Sequence, residues 1–293
     1  MHPVIEALLH TAPVLTDGAW GTQMQQRGLP IGAPPDPWNL DWPDRVQEVA
    51  AAYVAAGAQI ILTNTFGASS VLLDRHALAD RAVEINRAGA AISRAAAGNR
   101  AKVFGSIGPT GKLPSVGDID ADLLYAAFSQ QAAALAEGGV DGFVIETMCD
   151  LAEAVAAVRA AHRIGLPIVA CLTYGAGQAG ARTVMGTTPE QAATALHEAG
   201  ADIVGANCGQ GPADMAMVIE RLHAASGRPV WAKANAGLPR IVDGVAVYDV
   251  TPETFAAAMA QLPAVGAGFL GGCCGTAPEF IQRLAERIVK GEH

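Results

Sequence analysis

Gly138-Gly139-Val140-Asp141-Gly142-Phe143-Val144-Ile145-Glu146-Thr147 carries the decision about the fold: glycines that stop a helix, then an apolar run ending on an acid. The same entry recurs at Ala56-Gly57-Ala58-Gln59-Ile60 and at Ala199-Gly200-Ala201-Asp202-Ile203. Working outward, short apolar runs bounded by Gly, Pro or polar residues predict eight strands, over residues 14–19, 59–65, 102–108, 142–148, 167–174, 203–208, 229–236 and 268–274. Alanine-rich stretches with helical periodicity lie between them, as at 121–138, 150–164 and 189–199. Thr188-Pro189-Glu190 and Thr251-Pro252-Glu253 both read as helix starts, with a capping threonine, proline in the first turn and an acid at the positive end. Strand and helix alternating eight times, at about 37 residues per unit, is the α/β pattern of a single (β/α)8 TIM barrel, expected to span residues 1–293 as one domain. An open doubly wound sheet is the other arrangement of such elements, but no G-x-G-x-x-G follows a strand.

Composition agrees with a large packed core. Of 293 residues, 51% are apolar and 16% charged, which excludes a disordered chain. A net charge of −9 without basic runs argues against nucleic acid or an anionic membrane as partner. The first residues lack a signal-peptide pattern, and no apolar stretch is long enough to span a bilayer. Five cysteines, an odd number, read as reduced thiols, so a cytoplasmic location is expected.

In a (β/α)8 barrel the chemistry gathers where the strands end. Those ends offer Asp17 with Gly18, Thr63 with Asn64, Ser106, Glu146, Thr173, Asn207 with Cys208, Lys233 with Asn235, and Cys273 with Cys274. All seven histidines fall in predicted helices, their flanks or the chain ends, which removes a histidine-based metal hydrolase. Cys208, Cys273 and Cys274 come from strands six and eight, whose tips converge across strand seven. Adjacent residues of a regular strand face opposite sides, so Cys273 and Cys274 can share a site only if the chain turns there, and flanking glycines permit it. Three such thiolates form a soft pocket suited to zinc with an open position. Cys171 reads as core, and Cys149 as a bystander.

Three sulfurs offset the charge of the ion, so such a site favours a substrate thiol over hydrolytic water. A free thiol is only a few per cent ionised at neutral pH; bound to metal it becomes a full nucleophile, and thiol alkylation is the predicted reaction. For a thiol with an amino-acid end, Glu146 is the expected partner of the ammonium, with Asp17-Gly18 as a second acidic site; Thr63, Asn64 and Ser106 complete the expected substrate contacts. Two alternatives stand beside this reading. Lys233 on a strand tip is compatible with a Schiff-base aldolase, and the cysteines alone with a non-catalytic zinc or redox thiol protein. Glu146 is also open to a structural role as an ion-pair partner of Lys233.

Asp17-Gly18-Ala19-Trp20-Gly21-Thr22, Thr63-Asn64-Thr65-Phe66-Gly67-Ala68, Ser106-Ile107-Gly108-Pro109-Thr110, Ile145-Glu146-Thr147, Gly205-Ala206-Asn207-Cys208, Asn235-Ala236-Gly237-Leu238-Pro239 and Gly271-Gly272-Cys273-Cys274-Gly275 fall in order along the chain. In these segments the sequence resembles the homocysteine S-methyltransferase family. The resemblance implies a zinc-bearing barrel that activates homocysteine as a zinc thiolate and methylates it to methionine. Cys208, Cys273 and Cys274 would then be the metal ligands, and Glu146 with Asp17 and Gly18 would hold the amino-acid end. Asn235 is either an oxygen ligand to zinc in the absence of substrate or a cap of its own turn. Family members take the methyl group from methylcobalamin, betaine or S-methylmethionine. The segments at 63–68 and 235–239 look most like the homocysteine module of cobalamin-dependent methionine synthase. Betaine enzymes carry a tyrosine at the place of Gly67, although Trp38 and Trp20 could still contribute rings to a cage for a quaternary ammonium. The expectation is a homocysteine module served by methylcobalamin on a separate corrinoid protein. The segments 28–44, 109–120, 175–187 and 237–250 read as long loops on the active face, suited to lids or to docking of the donor.

Overall fold

A computed structural model describes residues 1–177, 180–209, 211–242 and 245–290. Eight parallel strands form one sheet: β1 Val14–Leu15, β2 Ile60–Leu62, β3 Lys102–Ile107, β4 Gly142–Met148, β5 Ile168–Leu172, β6 Ile203–Asn207, β7 Val230–Ala234 and β8 Ala267–Gly272. Neighbours in sequence are neighbours in the sheet, and β8 pairs with β1. The barrel closes where Thr16 bridges Ile60, flanked by Gln59 N–H to Leu15 O at 2.8 Å and Asp17 N–H to Ile60 O at 3.1 Å. Closure eliminates the open sheet and leaves no free edge. The fold is the single (β/α)8 barrel that the repeating pattern predicts.

The helices that follow the strands are started as the sequence implies. Thr188 caps Pro189–Ala199 in a reciprocal box with Gln191, and Thr251 caps Pro252–Met259. Asp120 and Asp150 do the same for Ala121–Glu137 and Leu151–His162. Their apolar faces bury a continuous layer between helices and sheet.

Inside the barrel a second, smaller core is built from Val14, Ile60, Phe104, Val144, Val169, Cys171, Ile203, Trp231 and Phe269. Trp231 anchors it, with ring centroids 6.4 Å from Phe104 and 5.3 Å from Phe269. The helix Pro3–Leu9, absent from the sequence reading, plugs the lower end with Ile5. Cys171 is fully buried here, as a core residue. Because strand side chains alternate, the inward residue above Phe104 is Ser106, above Val144 is Glu146 and above Trp231 is Lys233. The two-residue period that fills the lower barrel thus delivers polar groups to its upper mouth.

The ladders are shorter than the apolar runs predict: β1 stops at Leu15 and β2 at Leu62. Near these ends side chains enter the ladder, as where Leu62 N–H donates to Asp17 Oδ2 and Ser106 N–H to Thr63 Oγ1. The expected loop 237–250 contains an antiparallel hairpin, Arg240–Val242 with Val245–Val247. Residues 178–179 and 243–244 of the expected loops, and His293, lie outside the described residues. No described helix is long and apolar enough to cross a membrane.

Candidate active site

At the C-terminal mouth of the barrel lies a cleft of about 370 Å³, bordered by Glu146, Ser106, Lys233 and all three cysteines of β6 and β8. The three sulfurs lie within 4.8 Å of one another, and Cys208 Sγ is 3.8 Å from Cys274 Sγ. No other such group of His, Cys, Asp or Glu occurs among the described residues.

Backbone turns bring the thiols together. Cys208 leaves β6 in the left-handed region, at φ +61°, while its N–H still donates to Lys233 O of β7 at 3.0 Å. After Gly272 the chain turns: Thr276 N–H donates to Cys273 O at 3.1 Å, and Gly275 takes φ +81°. A Cβ on Gly275 would lie 2.3 Å from the ring of Tyr248, so glycine serves both the turn and the aromatic packed on it. Cys273 N–H to Ala234 O and Ala236 N–H to Cys274 O, at 2.7 and 2.9 Å, fasten the turn to the end of β7. Two adjacent cysteines therefore reach one point.

Hydrogen bonds from the Cys273 and Cys274 thiols stabilise the Cys208 thiolate and hold its pKa far below the usual thiol range. The same contacts push the Cys274 thiol up to about 11 and raise that of Cys273 as well. The three thiols form one hydrogen-bonded cluster. Cys149 is not in it; burial, then Glu153 and Asp150, raises its pKa.

Glu146 is 7% exposed and accepts from Ser106 Oγ at 2.6 Å. Burial raises its pKa, and Lys233 and the Ser106 hydroxyl offset only part of that. Lys233 is not its ion-pair partner. The ammonium bonds instead to Asp17 Oδ1 at 2.5 Å, with both residues buried. Burial works against the Lys233 charge, but the carboxylates of Asp17 and Glu146 outweigh it and raise the pKa, so the amine stays protonated and is not a Schiff-base nucleophile.

The structure changes the place of Asp17. Its Oδ2 accepts from Trp20 Nε1 at 2.8 Å and Leu62 N–H at 2.7 Å, and its Oδ1 is taken by Lys233. Both oxygens are occupied, and Gly18, rather than the Asp17 carboxylate, borders the cleft. Thr63 and Asn64 border it too, but Thr63 Oγ1 accepts from Ser106 N–H and the Asn64 amide donates to Pro35 O and Asn39 Oδ1. Asn235 does not cap its own turn: its Nδ2 crosses to Gly209 O at 3.0 Å, and its buried Oδ1 has no hydrogen-bond partner among the described residues.

Trp38 is buried in the outer core, with the Arg45 guanidinium 5.5 Å from its ring centroid, and does not border the cleft. At Gly67, a Cβ would sit 2.9 Å from Asp36 Oδ2, so the Asp36 carboxylate fills the space of a side chain there. The rings on the cleft are Trp20, Phe66 and Tyr248. Phe66 and Tyr248 were not singled out in the sequence; no local pattern marks Tyr248, which reaches the site only because the hairpin folds back over Gly275.

Comparison with known proteins places this geometry. The family model for homocysteine S-methyltransferase matches residues 14–288. Methionine synthase of Mycobacterium tuberculosis is 33% identical over 291 residues, covering 93% of this chain and 24% of that protein. Methionine synthase of Mycobacterium leprae is 31% identical over 293 residues, covering 94% and 24%. The chain spans about a quarter of the length of these curated relatives. Among solved structures, the metallated form of the homocysteine methyltransferase MmuM from Escherichia coli aligns with a TM-score of 0.80 at 22% identity, over 97% of this chain and 99% of that one. Its oxidized form gives 0.82 at 21%, over 98% and 100%. At these identities the structural likeness speaks for the fold alone.

Proposed function

As the chain belongs to the homocysteine S-methyltransferase family, we propose that it methylates the thiol of homocysteine to give methionine, with zinc held by Cys208, Cys273 and Cys274. The observation that carries this reading is the convergence of three thiols beside a buried carboxylate in one cleft.

The donor set fits zinc. Two sulfurs each about 2.3 Å from a tetrahedral ion stand about 3.8 Å apart, and Cys208 and Cys274 are separated by 3.8 Å. Thiols bind a metal as thiolates, so loading zinc into the cluster releases protons. The unpartnered Oδ1 of Asn235 belongs to a residue that also hydrogen-bonds Cys208, which keeps Asn235 as the proposed fourth ligand when no substrate is present. When bound, zinc supplies a soft Lewis-acidic position at which a substrate thiol is held deprotonated.

Glu146 receives the substrate ammonium, with Ser106 fixing its rotamer. Lys233, locked to Asp17 below, places a positive charge at the cleft floor for the substrate carboxylate. Gly18, Thr63 and Asn64 shape the wall beside it. Held at both ends, the substrate sulfur attacks the donor methyl carbon in line: the S–CH3 bond forms, and the leaving donor keeps the electron pair of its broken bond. The thiol proton goes to solvent through the open mouth.

For the donor, methylcobalamin on a corrinoid protein is the first choice. Its support is the resemblance of the segments at 63–68 and 235–239 together with methionine synthase relatives. Trp38 is withdrawn from the cleft, and Asp36 closes the space at Gly67, so a cage built on those positions is missing. A specific observation favours a second reading: Trp20, Phe66 and Tyr248 line the cleft and offer π faces to a cationic donor such as betaine or S-methylmethionine. The deciding experiment supplies zinc-loaded protein and homocysteine with each donor in turn. Methionine from methylcobalamin alone supports the corrinoid route; turnover with a cationic donor instead transfers the assignment to the three rings. No methionine with any donor would refute the reading.

A further inference from the structure

Among the described residues, three non-glycine ones have φ in the left-handed region, and two of them, Thr147 at +63° and Cys208 at +61°, stand at the mouth of the barrel. Each directly follows a site element: Thr147 comes after Glu146, and Cys208 after the last residue of β6. A β-branched residue is strained in that region. The pairing of β4 with β5 loses its regular register between Ile145 and Met148 around that point. One side chain spans the break. Asn207 Oδ1 accepts from Thr147 N–H at 2.7 Å, and Asn207 Nδ2 donates to Thr147 Oγ1 at 2.7 Å. The same Nδ2 lies 3.8 Å from Cys273 Sγ. Asn207 is 1% exposed, and its backbone O accepts from Thr173 Oγ1 at 3.0 Å.

We infer that Asn207 is a positioning residue that registers the two halves of the substrate site, fixing the carboxylate of Glu146 relative to the cysteine cluster. The inference rests on the proposed role of Glu146 toward the substrate ammonium. The reason is geometric. A homocysteine-sized molecule touches the thiols with one end and Glu146 with the other, so its affinity depends on the distance between two strand tips that are not adjacent in the sheet. β5 lies between β4 and β6, and no ladder hydrogen bond joins them. The Asn207 amide makes that link directly, bonding both backbone and hydroxyl of the residue next to Glu146. It also holds Thr147 in a backbone state that side-chain sterics disfavour. Releasing Thr147 to the extended region swings the end of β4 and, with it, Glu146.

The test measures binding of homocysteine and of 2-mercaptoethanol, a thiol without the amino-acid end, to zinc-loaded wild type, Asn207→Ala, Thr147→Gly and the double variant, by calorimetry. Zinc affinity is measured by chelator competition on the same samples. On zinc-saturated samples, needed because the Asn207 amide also reaches Cys273, Asn207→Ala is expected to weaken homocysteine by about 10- to 100-fold and 2-mercaptoethanol by less than about threefold. Glycine adopts φ +63° without strain, so adding Thr147→Gly to Asn207→Ala should recover part of the lost homocysteine affinity. Equal losses for both thiols, or an Asn207→Ala protein that still prefers homocysteine as wild type does, would overturn the inference. A wild type that does not discriminate between the two thiols would overturn the reading of Glu146, and this inference with it. Should Asn207→Ala fail to fold, Asn207→Asp keeps an acceptor for Thr147 N–H and loses the amide donor, and the same comparison of thiols applies.

Discussion

The two ends of this barrel are built from the same strands yet obey different rules. The lower interior is apolar, plugged by Ile5 and centred on Trp231, Phe104 and Phe269. Two residues further along those strands, the interior holds Glu146, Ser106 and Lys233, and the backbone turns into left-handed conformations at Thr147 and Cys208. The lower end satisfies packing alone. The upper end buries charge and stores strain, both of which oppose folding. Stability and chemistry are thus separated along the barrel axis, and substitutions at the two ends should fail in different ways.

The sharpest break is expected from Cys208→Ser. It should cut zinc affinity and methyl transfer by at least about 100-fold while leaving the thermal transition of the metal-free protein nearly unmoved, measured by chelator competition, turnover and calorimetry. The opposite pattern is expected from Trp231→Ala, which removes the centre of the lower core. A loss of about 3–5 kcal/mol in denaturant unfolding should accompany unchanged zinc stoichiometry in the protein that remains folded. A zinc defect in that variant would mean the two ends are coupled rather than separate.

Glu146→Gln sharpens the comparison within the upper end. Homocysteine affinity should fall by up to about 100-fold at neutral pH, with zinc content retained. The carboxylate attracts an ammonium only when ionised, and burial raises its pKa. Wild-type homocysteine affinity should therefore decline as pH falls through that raised value, and this limb should vanish in the glutamine variant.

The smallest effect concerns Asp36, buried at the rim with Gly67 N–H on Oδ1 at 2.9 Å. Burial raises its pKa from 3.8 to about 6. Between those values the folded state binds the proton more tightly than the unfolded chain, so stability falls as pH rises through that window, and the cost is complete above about pH 6. Asp36→Asn keeps an acceptor for Gly67 and removes the charge. It should stabilise the protein at pH 8 by about 1–2 kcal/mol and flatten the pH dependence of unfolding between 4 and 6.

Much of this was legible in the residues. Strand–helix units repeated eight times, three of them entered from a glycine-terminated helix, leave few alternatives to a barrel, because each strand must be buried on both faces. The thiol cluster was legible as well, since Cys-Cys between glycines has no use in a regular strand. Residue type alone also marked Glu146, an acid at the end of an apolar run. Partner choice was not legible. Lys233 had Glu146 and Asp17 within reach as residue types, and only the closed barrel brings β7 and β1 close enough, across β8, for Asp17 to take the ammonium.

The sequence by itself determined the alternation of elements, the layer of polar residues at the strand ends and the soft donors among them, because these follow from a local period of two and from side-chain chemistry. Only the tertiary structure decided that Asp17 faces Lys233, that Asn207 bridges β6 to β4, that Tyr248 packs on Gly275 and that Trp38 lies beneath Arg45. Those are contacts between residues distant along the chain, and they arise when strand tips and loops meet over a closed mouth whose curvature no local window of sequence encodes.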